Sequence, residues 1–502
     1  MALITIIIII LVTFFAIYYV QIRYTRTTRI LSCIPGPRGW PVIGNFLTIL
    51  ISPKDLFIYL RKLYKIHGGI YQIHAPNMRA VNIFDPADVE VILSSHRFND
   101  KDLPYKFMQP WIGDGLLVSK GNKWHQRRKM LTRAFHFNIL KKYSLTMIEQ
   151  AEELLMKIQT EVGGNQTDVV PLISKTALNV VCETSMGTSM NEDKQSVSDK
   201  YFHAIHTISQ LLMQRLVRVY LYIDAIFACS KIGKIQKKVV KDLHEFTMKI
   251  IQERKRYLTN NNDITNADGD DEVNGKKGRF SMLDLLLENE KQGIIDVEGI
   301  RDEVDTFMFA GHDTVAMALS FMIMRIANES EIQNFIYEEM LSIFGESQRR
   351  PNLEDLSKMK YLECCIKESL RLYPSAPIIS RHITEEVELS GYKIPSDTLC
   401  NIHVYDIHHN EKLYPNPEKF IPERFLSENN TLRHPYAYLP FSAGPRNCIG
   451  HKFAMMEMKI IMSSLLRRFR LEPVTKPDDI TFTCELVLRA THALFVRFLE
   501  RK

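Results

Sequence analysis

The 502-residue sequence contains no CxxC pair and no ladder of short cysteine spacings. Its eight cysteines, at 33, 182, 229, 364, 365, 400, 448 and 484, argue against a disulfide scaffold or a zinc site and for a reducing compartment. Strong net charge is also lacking. A formal +6, from 64 Lys+Arg against 58 Asp+Glu, implies no nucleic-acid partner at this size. No internal repeat is evident.

Charge is absent from residues 2–20, ALITIIIIILVTFFAIYYV, and a helix of that length spans ~28 Å, about the thickness of a bilayer core. No small-residue cleavage site follows, and Arg23, Arg26 and Arg29 come after the apolar run instead of before it. The expectation is an uncleaved single-pass anchor, with the rest of the chain on the cytosolic face of the endoplasmic reticulum. Pro35, Pro37 and Pro41 then stiffen the exit from the membrane. Residues 2–22 read as a transmembrane anchor, 23–45 as a basic and proline-rich hinge, and 46–502 as one large catalytic domain. The sequons at Asn165, Asn328 and Asn429 would face the cytosol and stay unmodified.

Apolar periodicity predicts helices over 137–160, 168–186, 199–258, 297–327, 332–345, 358–373 and 451–469, with strands within 70–84, 387–402 and 481–498. Residues 259–279, rich in Asn and Gly, read as a mobile surface loop. The fold class is mainly α with small β-sheets.

One cysteine stands apart. In FSAGPRNCIG, residues 441–450, Cys448 is surrounded by Phe441, Gly444, Arg446 and Gly450. A thiolate is a soft ligand for iron or copper, glycines let a flat cofactor approach the backbone, and a helix pattern follows that would favour the thiolate. A buried packing cysteine is the commoner fate of this residue type. Agreement of five positions with FxxGxRxCxG outweighs it.

This segment resembles the haem-binding loop of the cytochromes P450. Other signatures of that family follow in order: Trp124 and Arg128 in WHQRR, AGHDT at 310–314, Glu368 and Arg371 in ESLR, and PERF at 422–425. Within the family the chain is most similar to family four, the fatty-acid omega-hydroxylase-like branch with many invertebrate members. PWIGDGLL at 110–117, KWHQRRKMLTRAFHF at 123–137, SMLDLLL at 281–287 and EVDTFMFAGHDT at 303–314 carry that likeness.

The resemblance implies the P450 fold and a haem b held by Cys448, with Trp124, Arg128, Arg381 and Arg446 as propionate donors and Phe441 and Gly444 shaping the loop. Glu368, Arg371 and Arg424 would brace that loop. Ala310 and Gly311 would lie over the haem, Gly311 loosening the backbone for dioxygen while Asp313 and Thr314 deliver protons. Many relatives carry at position 310 a glutamate that can esterify the haem, so alanine implies non-covalent haem. Phe107, Met108, Ile112, Ile378 and Ile379 would line the pocket, and 209–228 would form a lid near membrane lipid. The implied reaction is monooxygenation of a lipophilic molecule with O2 and electrons from NADPH. They would arrive through NADPH-cytochrome P450 reductase, with cytochrome b5 as an accessory partner, docked on Lys123, Arg127, Lys129, Arg133 and Lys452. Two alternatives are a reductase-independent peroxide isomerase and a non-enzymatic haem carrier or sensor.

Overall fold

The computed structural model describes residues 25–501, apart from 41–42, 47–49, 76–77, 190–194, 263–280, 427 and 429–432, together with Thr5 and Thr13. The apolar run at 2–20 thus lies outside the described residues, those two threonines excepted, as does most of the Asn- and Gly-rich 259–279. The helices of ten residues or more are α1 (Pro53–His67), α2 (Gly121–Thr132), α3 (Phe137–Glu161), α4 (Val169–Thr184), α5 (Gln195–Val217), α6 (Lys231–Asn262), α7 (Met282–Lys291), α8 (Val297–Ala327), α9 (Ser330–Phe344), α10 (Lys360–Leu372) and α11 (His451–Arg468). The strands are β1 (Ile70–Ala75), β2 (Met78–Ile83), β3 (Thr167–Asp168), β4 (Ile379–Ile383), β5 (Val387–Leu389), β6 (Tyr392–Ile394), β7 (Thr398–Ile402), β8 (Phe469–Pro473), β9 (Phe482–Cys484), β10 (Leu488–Ala490) and β11 (Phe495–Glu500).

Apolar on most of its faces, α8 can be stable only inside the protein, and it packs against α4, α6, α9, α10 and α11. Among the described residues it is the helix long and apolar enough to cross a membrane, yet most of it is buried in the protein core. Its start is fixed by Asp296, whose carboxylate accepts from the Gly299 N–H at 2.8 Å.

Four strands form one sheet in the order β1-β2-β7-β4, with β2 and β7 parallel and the other pairs antiparallel. Residues 35–40 and 43–45, flanking the undescribed 41–42, are tied to this sheet: Gln72 N–H donates to Pro35 O at 2.8 Å, and Asn45 N–H to His74 O at 2.7 Å.

The single helix expected over 199–258 is two, α5 and α6, which pack on each other and so require the chain to turn between them. Arg215 holds that turn. Its guanidinium donates to Leu221 O at 3.1 Å and to Asp224 at 2.6 Å, and lies 4.3 Å from the Phe107 ring and 3.7 Å from the Phe227 ring. Periodicity misses the break because 218–230 is as apolar as the helices it joins.

Candidate active site

A cavity of about 470 Å³ opens beneath α8, and Cys448 lines it. The loop carrying Cys448 is built by its own backbone: Cys448 N–H donates to Phe441 O at 2.9 Å, and Asn447 N–H to Gly444 O at 3.1 Å. Gly444 is obligatory here, since its φ is +70° and a Cβ would lie 1.8 Å from Leu93 O. The surface that Cys448 exposes lies on the cavity, inside the protein. Burial pushes its thiol pKa up, and the Gly450 N–H, Arg128 and Lys101 oppose that shift without outweighing it.

Cations crowd one wall. Arg446, Arg381 and Arg128 line the cavity as expected, joined by Lys101, which sequence reasoning missed. Arg446 donates to the carbonyls of Asn99, Leu116 and Ser119 at 2.8, 3.2 and 2.7 Å and lies 4.8 Å from the Trp124 ring. Burial, reinforced by Arg381, lowers its pKa to about 10. Lys101 is buried with its ammonium 4.5 Å from the Tyr105 ring, and burial followed by Arg446 and Arg381 pushes its pKa well down. Arg128 is directed to the cysteine loop instead, donating to Asn447 O at 2.8 Å and to its side-chain oxygen at 2.7 Å. Among the described residues none of these four cations has a carboxylate within ion-pair distance. Like charges gathered on one wall, with Asp100 acting on Arg446 only from beyond ion-pair distance, call for an anionic ligand.

Glu368 and Arg371 are fully buried on α10. Arg371 donates to both carboxylate oxygens of Glu368 at 2.8 Å and to His408 O at 2.8 Å. Glu368 also accepts from Ile421 N–H at 2.9 Å and from Arg424 at 3.3 Å. His408 is a further member that the sequence did not announce. Its Nε2 accepts from the Leu439 N–H at 2.8 Å, which ties the network to the cysteine loop. Burial and then Arg371 hold its pKa well below 6.5, so the ring is the neutral acceptor that this bond needs.

On the opposite side Ala310, Gly311 and Thr314 of α8 line the cavity, and Asp313 does not. Thr314 Oγ1 donates to Ala310 O at 2.8 Å. Asp313 is buried and paired with Arg489 at 2.5 Å; Arg489 also meets Glu485 at 3.2 Å, and Glu485 lines the cavity. Gly311 has a packing reason beyond the one expected for it, since a Cβ there would lie 2.8 Å from Val181 of α4.

Met108, Ile378 and Ile379 line the cavity, whereas Phe107 and Ile112 do not. Phe107 packs on Tyr222, ring centroids 5.0 Å apart, and beneath Arg215, while Ile112 lies in the core on the short helix Gln109–Ile112. Met213, Leu216, Val217 and Tyr222 bring part of the expected lid onto the cavity, and Leu486 and Val487 join them from near the chain's end.

On α2, Lys123 and Lys129 are exposed, as is Arg133 just after it, but Arg127 turns inward to Glu303 at 3.8 Å. Glu303 also accepts from Leu116 N–H at 3.0 Å, fastening residues 113–116 to α8. Burial raises the carboxyls of Glu303 and Glu485 from 4.5 to about 7. A raised folded-state pKa means stability present in full below about 4.5 and lost as pH climbs through about 7. The loss is on the order of 1–3 kcal/mol for each. The melting temperature should therefore fall between pH 5 and 8, and Glu303→Gln should flatten that slope; an unchanged slope in the variant would refute the assignment.

The arrangement is a buried thiol, a wall of cations that no carboxylate pairs, and a chamber that is otherwise mostly apolar. It fits a haem: Cys448 toward the iron, and Lys101, Arg381 and Arg446 toward two carboxylates. Comparison with known proteins agrees. A family model described as Cytochrome P450 matches residues 34–496. Cytochrome P450 4c3 of Drosophila melanogaster is 39% identical over 490 residues, covering 95% of this chain and 91% of that protein. Cytochrome P450 4V2 of Mus musculus is 38% identical over 97% of this chain and 93% of its own. Cytochrome P450 4c21 of Blattella germanica is 39% identical over 95% of each.

Proposed function

The chain belongs to the cytochrome P450 family and is a haem-thiolate monooxygenase, and from that premise we propose a membrane-anchored enzyme that oxygenates a long apolar substrate. The substrate classes that suit are fatty acids, hydrocarbons, isoprenoid hormones and lipophilic foreign compounds. The observation that carries this reading is the chamber itself, whose lining beyond the cationic wall is dominated by residues such as Leu56, Leu60, Met108, Met213, Leu216, Phe309 and Leu486.

Haem, when bound, supplies dioxygen activation, with electrons from NADPH delivered by a reductase. Cys448 would hold the iron through its sulfur, and Lys101, Arg381 and Arg446 would hold the propionates by charge-assisted hydrogen bonds. Arg128 acts one step back, pinning Asn447 and with it the cysteine loop. Thr314 Oγ1 is a proton-bearing group on the cavity, and Asp313 stands behind it under the Arg489 guanidinium. The apolar side chains from α1, α5 and α8 exclude water and orient a hydrocarbon chain.

Exposed Tyr220, Ile223 and Ile226, in the turn between α5 and α6, support a lipid-facing surface to accompany the anchor at 2–22. Exposed Lys123, Lys129, Arg133 and Lys452 suit an acidic electron donor such as NADPH-cytochrome P450 reductase, with cytochrome b5 a second candidate. Placement in the endoplasmic reticulum membrane, catalytic domain in the cytosol, follows from this reading.

Two measurements test it. Product formation from a panel of fatty acids, hydrocarbons and isoprenoids should require both NADPH and reductase; turnover of a lipid peroxide without either would favour the isomerase. Because Ala310 has no carboxylate to form an ester, acidified organic solvent should extract all of the haem. Haem retained on the denatured chain would refute non-covalent binding.

A further inference from the structure

A second cleft, of about 430 Å³, shares no lining residue with the cavity of Cys448. Its walls come from α3, from residues 348–351 after α9, from the end of α11 and from residues 500–501. Five arginines line it: Arg349, Arg350, Arg467, Arg468 and Arg501.

Two of the five have carboxylate partners. Arg349 grips Asp355 at 2.5 and 2.8 Å, and Arg350 grips Glu152 at 2.7 and 2.6 Å. Among the described residues the other three have no carboxylate within ion-pair distance, although Glu500 also lines the cleft. They are nevertheless fixed in place. Arg467 donates to Arg349 O at 3.1 Å and Ser347 O at 2.6 Å, with its guanidinium 3.8 Å from the Phe344 ring. Arg468 donates to Gln159 at 2.9 Å. Arg501 donates to Phe469 O at 3.3 Å and lies 3.9 Å from the Tyr337 ring, while its Nη2 is buried with no partner.

Burial and then Arg349 hold Arg467 below its usual pKa, with Asp355 opposing; burial, with Arg470 adding and Tyr337 opposing, does the same at Arg501. Positive charge has thus been gathered here beyond what the described residues neutralise. Guanidinium forks arriving from separate segments suit a ligand whose oxygens point in several directions, and phosphate meets that need better than a planar carboxylate.

We propose that this cleft binds a phosphate-bearing anion, gripped by Arg467, Arg468 and Arg501. Its size leaves room for more than one phosphate, or for a phosphate on a larger body. The source is a free polyphosphate or the phosphorylated headgroup of a lipid.

The test uses full-length, haem-loaded protein in detergent at constant ionic strength. Pyrophosphate and inositol trisphosphate are titrated in turn, with calorimetry and melting temperature as readouts and chloride as the control. Saturable binding of at least one probe, with a raised melting temperature, is expected. Arg467→Gln combined with Arg501→Gln should weaken it by roughly tenfold or more without altering the haem spectrum. Tighter binding of inositol trisphosphate assigns a lipid headgroup, and tighter binding of pyrophosphate a free phosphate. The wild-type titration stands on its own, and should the double variant fail to fold, Arg468→Gln is read in the same way. No saturable binding of either probe, or undiminished binding in a folded variant, overturns the proposal.

Discussion

Replacing Cys448 with serine is expected to abolish the strongly red-shifted Soret band of the reduced, carbon monoxide-treated protein and to lower oxygenation by more than about a hundredfold, the upper end of what loss of a merely supporting contact costs. The thiol is presented to the cavity by the bond from its own N–H to Phe441 O, and the loop is held by Gly444 under Leu93 and by Arg128 on Asn447. None of these contacts uses the sulfur, so serine should leave the loop intact and change only the ligand. Spectra and turnover should therefore fail while the melting temperature of the apoprotein moves little. A red-shifted band that survives in the variant would mean that another group holds the iron.

Arg371→Leu should act differently, on the fold before the chemistry. Losing the guanidinium would leave the Glu368 carboxylate with the weaker contacts from Ile421 and Arg424, and His408 O and Lys419 O with one donor fewer. Breaking a buried pair by removing one partner typically costs about 3–5 kcal/mol. That is a large share of the roughly 5–15 kcal/mol by which domains are stable. Little protein should load haem, and what does should melt several degrees lower. Glu368→Gln with Arg371→Leu together should recover part of the loss, because the fully buried carboxylate is then gone and only the half-buried Arg424 is left without its acidic partner. A single Arg371→Leu variant that loads haem normally would remove the network from the account of the site. His408→Leu probes the next link: it keeps the ion pair and deletes only the acceptor of Leu439 N–H, so it should disturb the haem spectrum more than the overall stability.

What the sequence made legible was whatever lies close together in it. The cysteine loop, the Glu368–Arg371 pair three residues apart and the AGHDT interruption of an apolar helix each announce themselves within a few residues, and so does the mainly helical class. Lys101 does not. It stands between Asp100 and Asp102 and reads as an ordinary solvated lysine; only the tertiary fold buries it beside Arg381 and Arg446. Arg489 and Glu485 escape for the same reason, since Asp313 lies far from them along the chain. Arg127 and Arg128 are adjacent and look alike, yet one faces Glu303 and the other Asn447, because successive residues on a helix point about 100° apart. Phe107 and Ile112 are apolar neighbours of a true lining residue, Met108, and hydrophobicity alone cannot separate the wall of a cavity from the core behind it.

The cavity draws Leu56 and Leu60 from the beginning of the described chain and Leu486 and Val487 from near its end. During synthesis the chamber cannot close until Leu486 and Val487 have left the ribosome. Cys448 emerges before that segment does, so there is an interval in which the iron ligand is made but its chamber lacks a wall. Haem capture must either wait for that segment or begin on an open, half-built site, and a chain interrupted between Cys448 and Leu486 would carry the full binding signature and no closed chamber.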